Sequence, residues 1–179
     1  INDTDDSAGV DQTLASIRDY VLERVGETLT IGMVSITQLS EDAAAFCALA
    51  SKAWKKTGKP LILRGRTAGS IHDAALLIQG SHSILCAPDA PSADVLAPFA
   101  RDQDHALALT APDMDSLVAL SSRHRENGFH NLLLHWETYS LSEHLQTNTI
   151  ARRSAIRENF KPQGIPFEHF IHTGTLMDD

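Results

Sequence analysis

Residues 141–167, LSEHLQTNTIARRSAIRENFKPQGIPF, predict a polar helix that stops sharply and leads into a further strand. Pro162 and Pro166 fix φ and lack the amide proton that a continuing helix needs, so the helix must end before them. Gly164 between them permits a tight backbone turn. The segment therefore predicts a helix, a stop and an extended chain, in that order.

The same alternation of strand and helix extends over the rest of the chain. The predicted strands are short and continuously apolar, as in Leu61-Ile62-Leu63, which is typical of parallel strands covered on both faces. Apolar residues at helical spacing lie between them. The predicted helices cover residues 12–25, 42–56, 70–79, 93–100, 114–127 and 142–159, and the predicted strands cover 29–36, 61–64, 83–87, 106–110, 131–136 and 167–172. This order predicts an α/β fold with a parallel sheet, and periodicity alone leaves a barrel or an open layer possible.

Composition and charge exclude several classes of partner. The 179 residues suffice for one domain with a sizeable core. A net charge of −8 argues against nucleic acid, because phosphate binding needs a positive surface. No apolar run approaches the roughly 18–20 residues of a membrane span, and Asp3, Asp5 and Asp6 stand where a signal peptide would be basic. We therefore expect a cytoplasmic protein that binds neither nucleic acid nor membrane.

Three segments, in consistent order along the chain, carry a resemblance to a known family. The first is residues 24–29, Arg-Val-Gly-Glu-Thr-Leu, and the second joins residues 45–49 to residues 57–63. The third lies within residues 141–167, and its matching positions are Leu141, Leu145, Asn148, Thr149, Arg152, Arg153, Ala155, Ile156, Phe160, Lys161, Pro162, Gly164 and Pro166. Together they resemble the central TIM-barrel segment of the large subunit of the corrinoid iron-sulfur protein, the methyl carrier of the acetyl-CoA decarbonylase/synthase pathway.

The resemblance implies a parallel (β/α) TIM barrel that is incomplete, with about six of its eight strands in this chain. Residues 1–179 would form a single partial barrel domain, with the first residues as the tail of the first barrel strand. We expect the chain to be a piece of a larger protein whose iron-sulfur and corrinoid domains flank it. We also expect the uncovered strand edge to be closed by a second chain or a missing segment.

The family's function implies a role without bond-making for this segment. The barrel would be a scaffold and docking face for methyl transfer between a methyltetrahydrofolate-type donor and cobalt. Its implied partners are the small corrinoid-protein subunit, or another barrel subunit, and a methyltetrahydrofolate methyltransferase. Cobalamin and an iron-sulfur cluster are implied for the full-length protein and no cofactor for this segment, and the resemblance places no catalytic residue or metal ligand on these positions.

Ligand-binding candidates are sought at the carboxyl ends of the strands, where barrels place their sites. Asn2 and Asp3 end the first strand and suit the mixed donors and acceptors of a pterin ring, or else they belong to an acidic helix start. His135 and Glu137, around Trp136, suit acid/base work or ligand stacking, or else they close the barrel mouth as polar neighbours of an aromatic ring. The remaining candidates at strand ends are Arg64 and Thr110.

Two other functions remain open on the sequence alone. A free-standing pterin- or folate-binding methyltransferase barrel would use Asp3 and His135 in its mouth. A divergent interaction module would have lost chemistry altogether, which the His-Trp-Glu sequence at 135–137 permits because it replaces the turn found in the family.

Overall fold

The computed structural model describes residues 1–135, 140–157 and 167–168. The chain divides into two compact units, residues 1–107 and 108–179. In both units parallel strands alternate with helices, which confirms the predicted α/β class, and the first unit also contains an antiparallel hairpin. The proline and glycine stop after residue 157 lies outside the described residues.

The first unit is built from strand–helix repeats. Its elements are α1 (Ser7–Asp19), β1 (Val21–Arg24), β2 (Glu27–Thr30), β3 (Val34–Thr37), α2 (Ala43–Thr57), β4 (Leu61–Arg64), α3 (Ala68–Leu76), β5 (Ile84–Cys86), α4 (Ala90–Asp102) and the start of β6 (Ala106–Thr110). β3 pairs with β4 and β4 with β5, both in parallel. Side chains alternate between buried and half-buried along β3 and β4, whereas β5 is buried throughout. The core therefore lies on both faces of the sheet, as continuous apolar strands predict.

The first three residues join this sheet beside β3. Asn2 bridges Thr37 in parallel, and the amides of Asp3 and Thr37 donate to the carbonyls of Thr37 and Ile1 at 3.1 and 3.0 Å. These residues therefore extend the sheet of the first unit beside β3. The next helix starts at once, because the Asp6 carboxylate accepts from the amides of Ala8 and Gly9 and caps α1.

The prediction for residues 12–36 was wrong in its detail. The sequence predicted a helix over 12–25 and a strand over 29–36, but α1 ends at Asp19 and an antiparallel hairpin of β1 and β2 follows it. Its two-residue turn has positive φ at Val25 (54°) and Gly26 (81°), the signature of a type I′ turn. The apolar residues that suggested a longer helix are exposed to solvent on this hairpin. Because they are not selected for burial on one face, their spacing does not show where the helix ends and the strand begins.

A buried polar network fastens the amino ends of β4, β5 and β6 to one another. The Ser83 hydroxyl accepts from the amide of Leu61 at 2.9 Å, and the Ser83 amide donates to Nδ1 of His105 at 3.0 Å. Ser83 and His105 are both fully buried. Burial, with a smaller contribution from His82, lowers the pKa of the His105 imidazole, so the ring is neutral and Nδ1 stays an acceptor.

The second unit repeats the pattern on a shorter scale. It holds the end of β6, then α5 (Met114–Glu126), β7 (Leu132–His135), α6 (Leu141–Arg157) and β8 (Phe167–Glu168). β7 and β8 pair in parallel, with Leu134 opposite Phe167. The Asp113 carboxylate caps α5 by accepting from the amide of Ser116 at 2.7 Å. Because β7 ends at His135, the polar residue predicted at this strand end does occupy it.

Candidate functional site

Asp3, the first candidate, holds the loop after β3 in place by hydrogen bonds. Its Oδ1 accepts from the amides of Leu39 at 2.7 Å and Ser40 at 3.1 Å, and its Oδ2 accepts from the Ser40 hydroxyl at 2.5 Å. Partial burial raises the pKa of the Asp3 carboxyl, but these donors outweigh that effect and hold the pKa below its usual value. Both carboxylate oxygens are therefore engaged, by donors that lie 36 and 37 positions away in the sequence.

Replacing Asp3 with asparagine should lower the free energy of unfolding at pH 7 by about 1–2 kcal/mol, because charge-assisted hydrogen bonds to the loop are lost. The folded-state pKa of Asp3 is depressed, so its contribution is present above the unfolded pKa of about 4 and disappears as the pH falls through the folded value. Urea unfolding at pH 7 and at about pH 3 checks both statements. The matched control is Glu126→Gln on the exposed end of α5. A difference from wild type that is equally large in acid would contradict the assignment.

Asn2, the second candidate, is held by a neighbour in its own turn. The Asn2 amide donates to Oδ2 of Asp5 at 2.8 Å, its side-chain amide donates to Oδ1 at 3.3 Å, and its carbonyl accepts from the Asp5 amide at 3.2 Å. Since Ile1 and Asp3 bond to β3, the backbone of Asn2 points away from β3. Asp5 therefore occupies the outward backbone groups of Asn2, which protects this point of the strand edge against pairing.

Arg64 lies at the end of β4, and its register partner in β3 is Thr37. Its carbonyl accepts from the amide of Gln38 at 2.8 Å. The first strand, β3 and β4 are successive neighbours, so Asp3 and Arg64 stand at the same edge, two strand spacings or roughly 9–10 Å apart. The sequence prediction of a shared edge for Asn2, Asp3 and Arg64 thus agrees with the strand order of the first unit.

Two residues at this edge were not singled out from the sequence. Gln38 is buried, and its Oε1 accepts from the amide of Arg66 at 3.0 Å. The Arg66 guanidinium in turn donates to the carbonyl of Leu39 and to Oε1 of Glu41, both at 3.4 Å. These contacts tie the loop after β4 to the loop after β3. The only sequence signal for these contacts was the position of Gln38, directly after a strand.

The second unit brings two candidates together. Thr110 ends β6, His135 ends β7, and the Thr110 hydroxyl lies 3.2 Å from Nδ1 of His135. His135 is buried and Thr110 is half-buried. Glu137, which was predicted to act beside His135, lies outside the described residues. A hydroxyl against an imidazole nitrogen fixes the ring orientation, and it supplies one donor–acceptor pair at these strand ends.

Acidic residues after the strands serve mostly as helix caps. The Asp42, Asp89 and Asp113 carboxylates each accept from amides of the helix that follows. Hydrogen bonds from Ser92 and from Ser116 lower the pKa of the Asp89 and Asp113 carboxyls. Each cap satisfies amides that the first helical turn leaves without partners. These carboxylates are accordingly explained by helix formation.

The residues present do not fit the iron-sulfur cluster of the resembled family. Such clusters need four thiolates, and the chain has two cysteines. Burial, and to a smaller extent Asp73, raises the pKa of the Cys47 thiol, which disfavours its thiolate. Among the described residues, no three His, Cys, Asp or Glu side chains are grouped to hold a metal ion. In the same ranges no helix is both long and apolar enough to cross a bilayer.

Comparison with known proteins identifies the family. Residues 1–177 match the family described as CO dehydrogenase/acetyl-CoA synthase delta subunit. The chain belongs to this family. It is also 26% identical over 153 residues to the gamma subunit of the acetyl-CoA decarbonylase/synthase complex of Methanocaldococcus jannaschii. The match covers 84% of this chain and 31% of that subunit, so the chain spans about a third of the length of this curated relative.

The family match confirms the broader part of the sequence prediction. The chain belongs to a family of acetyl-CoA synthase/decarbonylase complex subunits, in the one-carbon acetyl-CoA pathway. The Methanocaldococcus jannaschii relative is named as a subunit of the acetyl-CoA decarbonylase/synthase complex.

Proposed function

We propose that this chain is a barrel-type scaffold and docking face of a corrinoid iron-sulfur protein-like methyl carrier, acting in the cytoplasm. Its partners would be the small corrinoid-protein subunit or another barrel subunit, and a methyltetrahydrofolate methyltransferase. Cobalamin and the iron-sulfur cluster would be held by other parts of the full-length protein. This chain would position those parts and would supply no reacting group.

The strand order supports a barrel. In the first unit each parallel strand pairs with the next one along the chain, from β3 to β4 to β5, and in the second unit β8 follows β7 in the same way. A doubly wound dinucleotide-binding sheet instead reverses its order at a switch point. Sequential pairing without a reversal within either unit favours part of a closed (β/α) cylinder.

The observation that carries the scaffold role is the state of the Asp3 carboxylate. A pterin contact at this position needs free acceptor positions on both oxygens, because the ring edge offers adjacent N–H donors. In the described structure the Leu39 amide and the Ser40 amide and hydroxyl already donate to them. Asn2 is likewise bonded to Asp5. The polar groups of Asn2 and Asp3 are therefore used in hydrogen bonds within the chain, which supports a structural role for them.

The test uses the full-length gene product carrying Asp3→Asn or Thr110→Val. Methyl transfer from methyltetrahydrofolate to cobalt is followed through the absorbance of reduced cobalamin. A scaffold predicts rates within about twofold of the Glu126→Gln control, since no group in contact with the reacting atoms is changed. A loss of tenfold or more with the fold retained, roughly 1.4 kcal/mol of transition-state stabilisation, would overturn the proposal. A colourless full-length protein would also contradict the carrier role.

The second candidate is a pterin- or folate-binding methyltransferase barrel, and the Thr110–His135 contact favours it. A ring held by a hydroxyl at the ends of adjacent barrel strands is suitable for proton transfer. Calorimetric titration with methyltetrahydrofolate up to about 1 mM, the upper end of ordinary substrate affinities, separates the two. If methyltetrahydrofolate binds to the wild type and Thr110→Val abolishes the binding, the methyltransferase alternative is established. A titration without heat of binding agrees with the scaffold.

A further inference from the structure

The β1–β2 hairpin leaves apolar side chains exposed to solvent. All eight strand residues, Val21–Arg24 and Glu27–Thr30, are exposed. Leu22 and Leu29 retain 43% and 46% of their accessible surface. An isolated two-stranded hairpin is marginally stable in water, and clustered exposed apolar residues mark interaction surfaces. A further surface packed on the hairpin would stabilise it.

The two faces of the hairpin differ in chemistry. Register partners share a face and successive residues alternate, so Leu22, Leu29, Arg24 and Glu27 lie on one face. The opposite face carries Val21 and Glu23 with two threonines, and its charge has one sign. Only the first face combines an apolar pair with one charge of each sign. We name it the leucine face.

The charges on the leucine face are available for an external partner. Arg24 and Glu27 are opposite each other in register, at the tip of the hairpin. Neither takes part in any ion pair or side-chain hydrogen bond formed among the described residues. Their separation across the ladder is fixed by strand pairing, so a complementary surface must present the same two charges at the same spacing with the signs exchanged.

We infer that the leucine face is a self-association surface whose occupant is the same face of a second copy of this chain. A two-fold axis parallel to the strands and above the face lays β1 of one copy over β2 of the other. Register partners are at one level, so Arg24 then meets Glu27 of the second copy twice, and Leu22 meets Leu29 of the second copy twice. The face is complementary to itself in both apolar contact and charge.

The size of the face determines the expected strength. One hairpin face is smaller than the roughly 800 Å² that each partner contributes to a standard interface. The dimer is therefore weak, with a dissociation constant on the order of 10–100 μM. This inference goes beyond the proposed scaffold role and does not depend on it, because the hairpin lies before β3, away from the carboxyl ends of the strands.

Sedimentation equilibrium of the full chain between about 5 and 500 μM, a range that brackets the expected constant, tests the inference. Leu22→Ser should weaken association about tenfold, since it removes an apolar contact at the centre of the face. Arg24→Glu and Glu27→Arg should each weaken it about two- to fivefold through like-charge contacts. The double variant carrying both exchanges should recover the wild-type constant, because the two-fold axis again brings opposite charges together.

Two control variants separate the face from folding effects. Val95→Ser removes an exposed valine from α4, on a different surface, and should leave association unchanged. Val25→Asn keeps the leucine face and suits the positive φ at the turn, so association should be retained. A monomer throughout this range would overturn the inference. So would a dimer that ignores Leu22→Ser, or a double charge exchange as weak as the two single variants combined.

Discussion

Replacing Gly65 with alanine lowers the free energy of unfolding by about 1–3 kcal/mol, the range typical of forcing an extra carbon into a packed region. A Cβ at this position would lie 2.6 Å from Cγ1 of Ile71 and 2.8 Å from the Ser70 hydroxyl oxygen. Both neighbours are buried, and Ile71 has no accessible surface. Neither can move away without disturbing the core beneath α3.

The same clash reaches the start of α3. The Ser70 amide donates to the Thr67 hydroxyl, and the Thr67 amide donates to the Ser70 hydroxyl, which together form a capping box. Displacing Ser70 therefore weakens the cap in addition to the packing. Gly65 is needed here for close approach of the loop after β4 to the helix.

Gly32→Ala is the matched control, because its added Cβ would meet nothing within 4 Å. Its unfolding free energy should stay within about 0.5 kcal/mol of wild type. Denaturant unfolding of the two variants measures the difference directly. Equal stabilities for both alanine variants would show that the loop and α3 do not pack as described.

Replacing Ser83 with alanine lowers the free energy of unfolding by about 1–3 kcal/mol, because it leaves a buried backbone donor without an acceptor. The Ser83 hydroxyl accepts from the amide of Leu61 and lies 2.6 Å from the Ser81 hydroxyl. Ser83 is fully buried and Ser81 nearly so, which keeps water from replacing the lost oxygen. The loss therefore falls on the junction of β4 with β5.

Hydrogen exchange locates this effect. The Leu61 amide should lose protection in Ser83→Ala by more than global destabilisation explains, since it is the donor that loses its acceptor. The control is Ser16→Ala on the exposed face of α1, where the hydroxyl only returns a bond to the Gln12 carbonyl. That variant should be unchanged or slightly more stable, because alanine is the better helix former. Unaltered protection at Leu61 would refute the role of the serine hydroxyl.

Periodicity predicted the strands well where burial enforces it. The bounds of β4 and β6 agree with the predicted 61–64 and 106–110. The side chains of β6 are buried except at Thr110, and those of β4 are buried or half-buried, so both strands need a run of apolar residues that is visible in the sequence. At residues 21–30 the same reasoning failed. Leu22 and Leu29 are apolar but exposed, so their spacing does not mark residues of the core.

The candidate residues were predicted by position and not by role. Asp3 and Arg64 in the first unit, and Thr110 and His135 in the second, do lie at strand ends, because the carboxyl ends of parallel strands that pair with one another lie on the same side. Which of them is engaged depends on loops whose conformation has no periodic signal. Ser40 reaches Asp3 across 37 positions of sequence, and no local pattern announces that contact.

The sequence by itself determined the α/β alternation, the negative charge and the family, since these follow from composition and from residue order along the chain. Only the tertiary structure decided that Asp3 hydrogen-bonds to the loop after β3 and that Gly65 lets this part of the chain pack closely against α3. It also decided that Leu22 and Leu29 face solvent. The physical reason is the distance along the chain over which the residues interact. Local order sets helices, strands and caps within a few residues, whereas hydrogen-bond saturation and exposure depend on groups brought together from distant positions.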